Sequence, residues 1–232
     1  MLADLVDAGP LLLEGAGVTL LYTVIGALAA LVISFALGFM SISGSVVVRA
    51  TSRVVVEFFR GTSLVVQLLW IYFVLPQLGF RLETMVAATV AFGLNFGAYG
   101  SEVVRGAIDS VPKAQWEATT ALSLGRWRRM RRVILPQALP EMIPPFGNLW
   151  IQILKSSSLL FMISITELTQ QVQRARFDLG SVTAFGLALV VYFVLAQLLA
   201  AVTRWVENRA AARVGRGPKA VTVQAVPAGG TA

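Results

Sequence analysis

The sequence predicts an all-α integral membrane protein: five transmembrane helices, N-terminus outside, C-terminus cytoplasmic, and a cytoplasmic helical element between helices 3 and 4. Three observations carry this. Of the 232 residues, 56% are hydrophobic and 13% charged, and a mean hydropathy of +0.75 is too high for an ordinary soluble domain. Nearly uncharged runs recur at the length of ~20 residues that a helix rising ~1.5 Å per residue needs to cross ~30 Å of hydrocarbon. The basic residues collect on one side of those runs, as the positive-inside rule requires.

The first span runs Gly15 to Val48 without a charge and is most apolar from Val18 to Met40. The second is Gly61 to Phe80, and Thr84 to Ser101 follows after a connection holding Arg81 and Glu83. The fourth, Pro140 to Ile165, is interrupted by Lys155, and the fifth, Ser181 to Thr203, is free of charge. Ahead of the first span stand Asp4, Asp7 and Glu14 with no Lys or Arg, unlike a secretory signal, so the N-terminus reads as uncleaved and outside. Fifteen of the 19 Lys and Arg residues fall on the cytoplasmic side of this arrangement, leaving Arg81, Lys155, Arg174 and Arg176 opposite. The net charge of +7 therefore reports topology and contact with lipid headgroups, and nucleic acid is not an expected partner. Residues 1–214 read as one transmembrane domain, and residues 215–232, rich in Gly, Pro, Ala and Val, as a disordered cytoplasmic tail.

The chain has no His and no Cys, which excludes Ser-His mechanisms, thiol nucleophiles and zinc sites built on those residues. No metal site is expected. It also lacks a Gly-x-x-x-x-Gly-Lys-Ser/Thr loop to cradle phosphates. A Ser-Lys pair around Lys155 and Ser156 to Ser158 is the remaining nucleophilic option, though consecutive helix residues diverge in direction. The absence of an internal repeat weakens a self-contained channel or secondary carrier.

The connection from Ser110 to Pro140 is basic but patterned. Ser110 reads as an N-cap with Pro112 in the first turn, opening a short helix from Lys113 to Leu122. Ser123-Leu124-Gly125 breaks it, and Arg126 to Ile134 forms a second, basic amphipathic segment stopped by Leu135-Pro136. Charge alone leaves two readings open: a knob that docks on a partner, or a hairpin lying on anionic lipid.

Polar residues in the spans fall at helical spacing. Glu141, Asn148, Gln152 and Lys155 share one face of the fourth span, Asn95, Tyr99 and Glu102 one face of the third, and Ser63, Gln67 and Trp70 one face of the second. The three stripes fit one shared interior. Lys155 stands ~22 Å along the helix from Pro140, where it meets a substrate carboxylate, snorkels to the outer interface or pairs with a carboxylate. For Asn95, Asn148 and Gln152, bonding between helices competes with ligand contact. Glu57 and Arg60 read as an ion pair, structural or part of a cytoplasmic gate.

Glu117-Ala118-Thr119, followed by a turn and a closing Leu135-Pro136 in register, resembles the EAA motif of ABC importer permeases. Ser123 stands where Gly is usual in that motif, Val133 where Ile is usual, and Gly125 falls two residues late. Glu57-Phe58-Phe59-Arg60-Gly61-Thr62-Ser63, Leu94 to Tyr99 with Glu102 to Gly106, Leu135 to Ala138 with Pro144, Pro145 and Asn148, and Leu154 to Leu159 resemble the polar amino acid branch (histidine, glutamine and opine type). Pro140-Glu141-Met142 is similar to ectoine-type permeases. The resemblance covers about Val18 to Thr203 and departs at Ser63, where Pro is usual, and at Ser156-Ser157.

The resemblance implies a type I permease fold and a role in ATP-driven import, in a bacterial cytoplasmic membrane, of a polar amino acid or ectoine-like zwitterion. It implies that Trp116, Glu117, Ala118, Ser123 and Gly125 belong to a coupling helix. The polar stripes place Gln67, Asn95, Tyr99, Asn148, Gln152 and Lys155 along the translocation path or in contact with substrate, and Glu57, Arg60 and Glu102 in a gate or structural ion pair. The implied partners are two copies of an ATP-binding subunit, a second permease (identical or a sister chain), an extracytoplasmic solute-binding protein and membrane lipid. This chain would carry no cofactor, ATP and magnesium belonging to the ATP-binding subunit.

Overall fold

The structure, a computed structural model, describes residues 2–213; the predicted tail from Gly215 to Ala232 lies outside the described residues. Helix α1 runs Leu2–Ser41, α2 Val46–Gly61, and α3 Leu64–Leu69, continued by a π turn Trp70–Val74 and a 3₁₀ turn Leu75–Leu78. Helix α4 spans Thr84–Asp109 and α5 Lys113–Ala121. Helix α6, Arg126–Arg129, passes through a π turn Met130–Ile134 into α7, Leu135–Ser156, and a 3₁₀ segment Ser157–Ile163. Helices α8, Leu168–Leu179, and α9, Ser181–Arg213, complete an arrangement without strands among the described residues.

Among the described residues three helical stretches are long and apolar enough to cross a membrane, Gly9–Ser41, Arg126–Ile163 and Ser181–Ala210. The pair Val46–Gly61 and Leu64–Leu78, bent by 102°, raises the number to four. Length and composition thus give fewer spans than the predicted five. The difference is α4, which has 26 residues, enough for ~39 Å of rise. It is moderately polar because it is surrounded by protein rather than lipid: Ala87, Ala88, Ala91 and Ala98 are fully buried. Small residues bring α1 and α4 together. A Cβ at Gly97 would fall 2.6 Å from Ile33, and one at Gly93 3.1 Å from Ala29, so only glycine permits this approach.

Four expectations of boundary are corrected. The uncharged run to Val48 is not one helix, because α1 stops at Ser41 and α2 begins at Val46. Ser110 caps the end of α4, its hydroxyl donating to the Ala107 carbonyl at 2.8 Å, and Pro112 takes the N-cap position of α5. Leu135-Pro136 does not stop a helix. The π turn before it hands the Leu135 N–H to the Met130 carbonyl, and this widening lets a residue without an N–H continue the helical path. The segment Thr166 to Gly180, between the predicted fourth and fifth spans and expected from its position to be an outward loop, contains α8.

Candidate functional site

Helix α5 projects from the bundle end formed by α4 and α7. Only Thr119 is buried within it; Trp116 packs partly against the cluster of Val104, Ile108, Ile134 and Met142, while Glu117 and Ala118 are exposed. The indole roots the helix and the carboxylate points away from the bundle. The helix ends in a Schellman arrangement: the Ser123 N–H donates to the Thr120 carbonyl at 2.9 Å and the Leu124 N–H to the Thr119 carbonyl at 3.1 Å, with Ser123 at φ +51°. That left-handed position favours glycine. Gly125 has φ −60° and open space where a Cβ would stand, so it needs no glycine. The glycine-like job in this turn belongs to Ser123.

The polar residues of α3 and α4 meet at the break between α2 and α3, where helical carbonyls lose their partners. The Gln67 amide donates to the Phe59 carbonyl at 2.9 Å and to the Thr62 hydroxyl at 2.6 Å. The Asn95 amide donates to Phe59 O at 3.0 Å and to the Gln67 side-chain oxygen at 3.2 Å. The Tyr99 hydroxyl donates to Arg60 O at 3.3 Å. Gln67, Asn95 and Tyr99 therefore form a clasp on the bend, and their contacts are between helices. Ser63 opens α3 without a side-chain capping bond.

The other predicted groupings are redistributed. Arg60 and Glu57 form no ion pair among the described residues; the Arg60 guanidinium lies 5.2 Å from the Tyr99 ring centroid. Glu102 instead pairs with Arg105 at 2.6 Å, and Arg105 with Asp109 at 3.2 Å. Asn148, Gln152 and Lys155 do not join the clasp. They are exposed on the outer face of α7, with Glu141 half-buried on the same line, so the three stripes do not share one interior within this chain. Lys155 heads a cleft of about 700 Å³ between α7 and α9, with Ser158, Tyr192 and Gln197 as its polar lining and Leu189 and Phe193 as walls.

One functional group escaped the sequence reading. Glu167 is fully buried and caps α8, accepting from Thr169 N–H at 2.9 Å and Gln170 N–H at 3.1 Å. It also accepts from the Tyr192 hydroxyl on α9 at 2.8 Å, and Thr19 on α1 approaches at 3.5 Å. Burial pushes its carboxyl above the ordinary carboxylate range, while the hydrogen bonds it accepts pull the other way. The available signal was an acidic residue directly before the helix-forming run Leu168 to Leu179, closed by Gly180.

Membrane-length helices and an exposed, rooted helix at one end of the bundle fit a membrane transport subunit. The chain belongs to the family described as binding-protein-dependent transport system inner membrane component, which matches residues 23–211. It is 42% identical over 202 residues to a probable amino-acid ABC transporter permease of Sinorhizobium fredii, covering 84% of this chain and 85% of that one. It is 39% identical over 203 residues to the glutamine transport system permease protein GlnP of Escherichia coli, covering 86% and 93%. Among solved structures, an amino acid ABC transporter crystallised with histidines matches at a TM-score of 0.83 and 28% identity, over 89% of this chain and 97% of that one. The fold is also shared with the inward-facing MetNI methionine transporter, at a TM-score of 0.75 and 21% identity, over 88% and 98%. The chain is thus a permease subunit of that family, a helical membrane component and not itself an enzyme.

Proposed function

We propose that the chain is one of two permeases in an ATP-driven importer that moves a polar amino acid into the bacterial cytoplasm. In this reading it crosses the membrane five times, with α4 as the third span. The basic excess at Arg49 to Arg60, Arg105 to Arg132 and Arg204 to Arg213 marks the cytoplasmic side. Helix α5 seats in a groove of an ATP-binding subunit, present in two copies that hold ATP and magnesium. Trp116 anchors the helix, Ala118 allows close approach and Glu117 meets a basic partner. The ATP-driven states each favour one orientation of the bundle, which gives alternating access. An extracytoplasmic solute-binding protein docks on the opposite face, around α8.

The exposed face of α7 borders the path, facing the second permease. There Lys155 takes the substrate carboxylate and Asn148 and Gln152 its other polar atoms. The observation that carries the whole reading is α5: a short helix rooted by Trp116, with Glu117 presented outward, in a chain of this family. The first test is a mild-detergent pull-down of the tagged protein from its native membrane, with mass spectrometry of what accompanies it. A stoichiometric ATPase, lost with Glu117→Lys, is the expected result; a chain that purifies alone and folded would overturn it. Uptake by the assembled complex, with glutamine, histidine and ectoine compared, ranks the cargo, and Lys155→Ala is expected to impair uptake more than assembly.

A further inference from the structure

Helix α2 has three different faces. Ser52 and Val56 are buried, and the Ser52 hydroxyl donates to Leu37 O at 2.8 Å, fixing one face to α1. Val47, Val54 and Phe58 form a second, apolar face that is 74%, 67% and 59% exposed. Arg49, Arg53 and Arg60, at i, i+4 and i+11, form the third. With 3.6 residues per turn the basic face lies about 60° from the buried one and about 140° from the apolar one. A helix with one side on protein, one apolar side free and one basic side free lies along a membrane surface. The 102° bend that separates α2 from Leu64–Leu78 fits that placement.

Between α2 and the C-terminal end of α4 opens a cleft of about 850 Å³. Its charges are unevenly used. Arg105 is held by Glu102 and Asp109, and Arg60 lies on Tyr99. Arg49 gives one N–H to Ser43 O at 2.8 Å and keeps its others. Arg53 and Glu57, one turn apart, form no ion pair among the described residues. Val46 and Ala50 line the same cleft and lead around the helix to Val54, so a basic pocket opens directly onto an apolar edge.

We propose that this cleft binds an anionic phospholipid of the cytoplasmic leaflet, its phosphate between Arg49 and Arg53 and its acyl chains crossing Val46 and Ala50 toward Val54. The proposal rests on the inside placement of α2 argued above, and that placement has its own readout. Since the chain contains no Cys, a single Thr51→Cys reports from which side of the membrane an impermeant maleimide reaches α2. Labelling from the outside would overturn the orientation, and the site with it, whatever the lipid result.

The test uses the assembled permease and ATPase complex, delipidated in detergent, offered dioleoyl-phosphatidylglycerol or dioleoyl-phosphatidylcholine and read by native mass spectrometry. Retention of phosphatidylglycerol over phosphatidylcholine is expected, falling by about fivefold for Arg53→Gln and further for Arg49→Gln with Arg53→Gln. Arg53 has no ion-pair partner to lose among the described residues, so the single variant separates lipid binding from misfolding, and Arg53→Lys should keep most retention. Equal retention of the two lipids, or undiminished phosphatidylglycerol in Arg53→Gln and the double variant, would overturn the proposal. Displacement of phosphatidylglycerol by inorganic phosphate at equal concentration would also overturn it, by showing a free-anion site.

Discussion

Glu117 and Glu167 are both acidic residues of short helices outside the long spans, and their surroundings are opposite. Glu167 is fully buried and spends its carboxylate on α8, α9 and α1. Glu117 is exposed on α5 and forms no ion pair among the described residues. A carboxylate satisfied internally fixes how elements pack, whereas one left unsatisfied at a protruding helix is available to a partner. The same residue type is thus a structural tie on α8 and an exposed group on α5.

That contrast predicts a separation of effects, the largest being on coupling. Glu117→Lys reverses the charge offered to the ATPase and is expected to reduce solute-stimulated ATP hydrolysis in reconstituted complex to its basal rate. The thermal stability of the permease should stay within ~0.5 kcal/mol of the parent, as for an ordinary surface substitution. Stimulation that survives would remove Glu117 from the docking role. Glu167→Ala should do the reverse. It strips partners from two partly buried N–H groups and a partly buried hydroxyl, at a cost of about 3 kcal/mol, read as a lowered unfolding temperature in detergent. A variant as stable as the parent would show that Glu167 ties nothing.

Acidity sharpens the comparison. The folded Glu167 carboxyl titrates above its ordinary value, so its contribution is fullest below the ordinary carboxylate range and is lost as pH rises through the raised value. The end of the bundle around α8 should therefore soften from acid toward neutral pH. Glu167→Gln, which does not ionise, is expected to flatten that part of the profile, measured as unfolding temperature against pH. An unchanged slope would place the pH dependence elsewhere.

How much of this was legible beforehand follows from what each signal measures. Hydropathy located α1, α7 and α9 because they face lipid, and read α4 through its short apolar run at Thr84 to Ser101. It merged α1 with the start of α2, since Val46 to Val48 continue an uncharged stretch and the turn at Ile42 to Ser45 is marked only by Ser and Gly. The motif register pointed to α5 through Glu117, and Gln67 and Asn95, which spacing put on two separate stripes, meet across helices at 3.2 Å. What spacing does not encode is which side of a helix the rest of the chain covers. Asn148, Gln152 and Lys155 share a face with the right period, yet that face lies outside this chain's own bundle. Glu167 was passed over because a segment with Gln170, Gln173, Arg174 and Arg176 looks like a polar loop, and only contact with Thr19 and Tyr192 makes its first acid a buried one.

The clasp at the α2 to α3 break lies between the two glutamates in character, with Gln67 and Asn95 buried like Glu167 and bonded both to the Phe59 carbonyl and to each other. Asn95→Ala removes two of its bonds and leaves the Gln67 amide still serving Phe59 O, so a cost of about 2 kcal/mol is expected. The measurement is unfolding in detergent, paired with Gln67→Ala in a double-mutant cycle. Strictly additive costs would mean that the two amides act separately, while a coupling near 1 kcal/mol is expected for residues in direct contact.

The smallest effect concerns the end of the docking helix. Ser123 occupies a left-handed conformation that costs a residue with a Cβ roughly 1–2 kcal/mol, and glycine would remove that cost while adding ~0.5–1 kcal/mol of unfolded-chain entropy. Ser123→Gly should therefore firm α5 by about 0.5 kcal/mol, seen as slower amide exchange of Thr120 to Leu124. Gly125→Ala, with an ordinary φ and open space at the Cβ, should leave that exchange no faster. If a firmer helix end also raises solute-stimulated ATP hydrolysis, the serine at this turn limits coupling. If exchange slows and hydrolysis does not change, the force passes through the rooted half of the helix, at Trp116 and Glu117, and the turn only holds it in place.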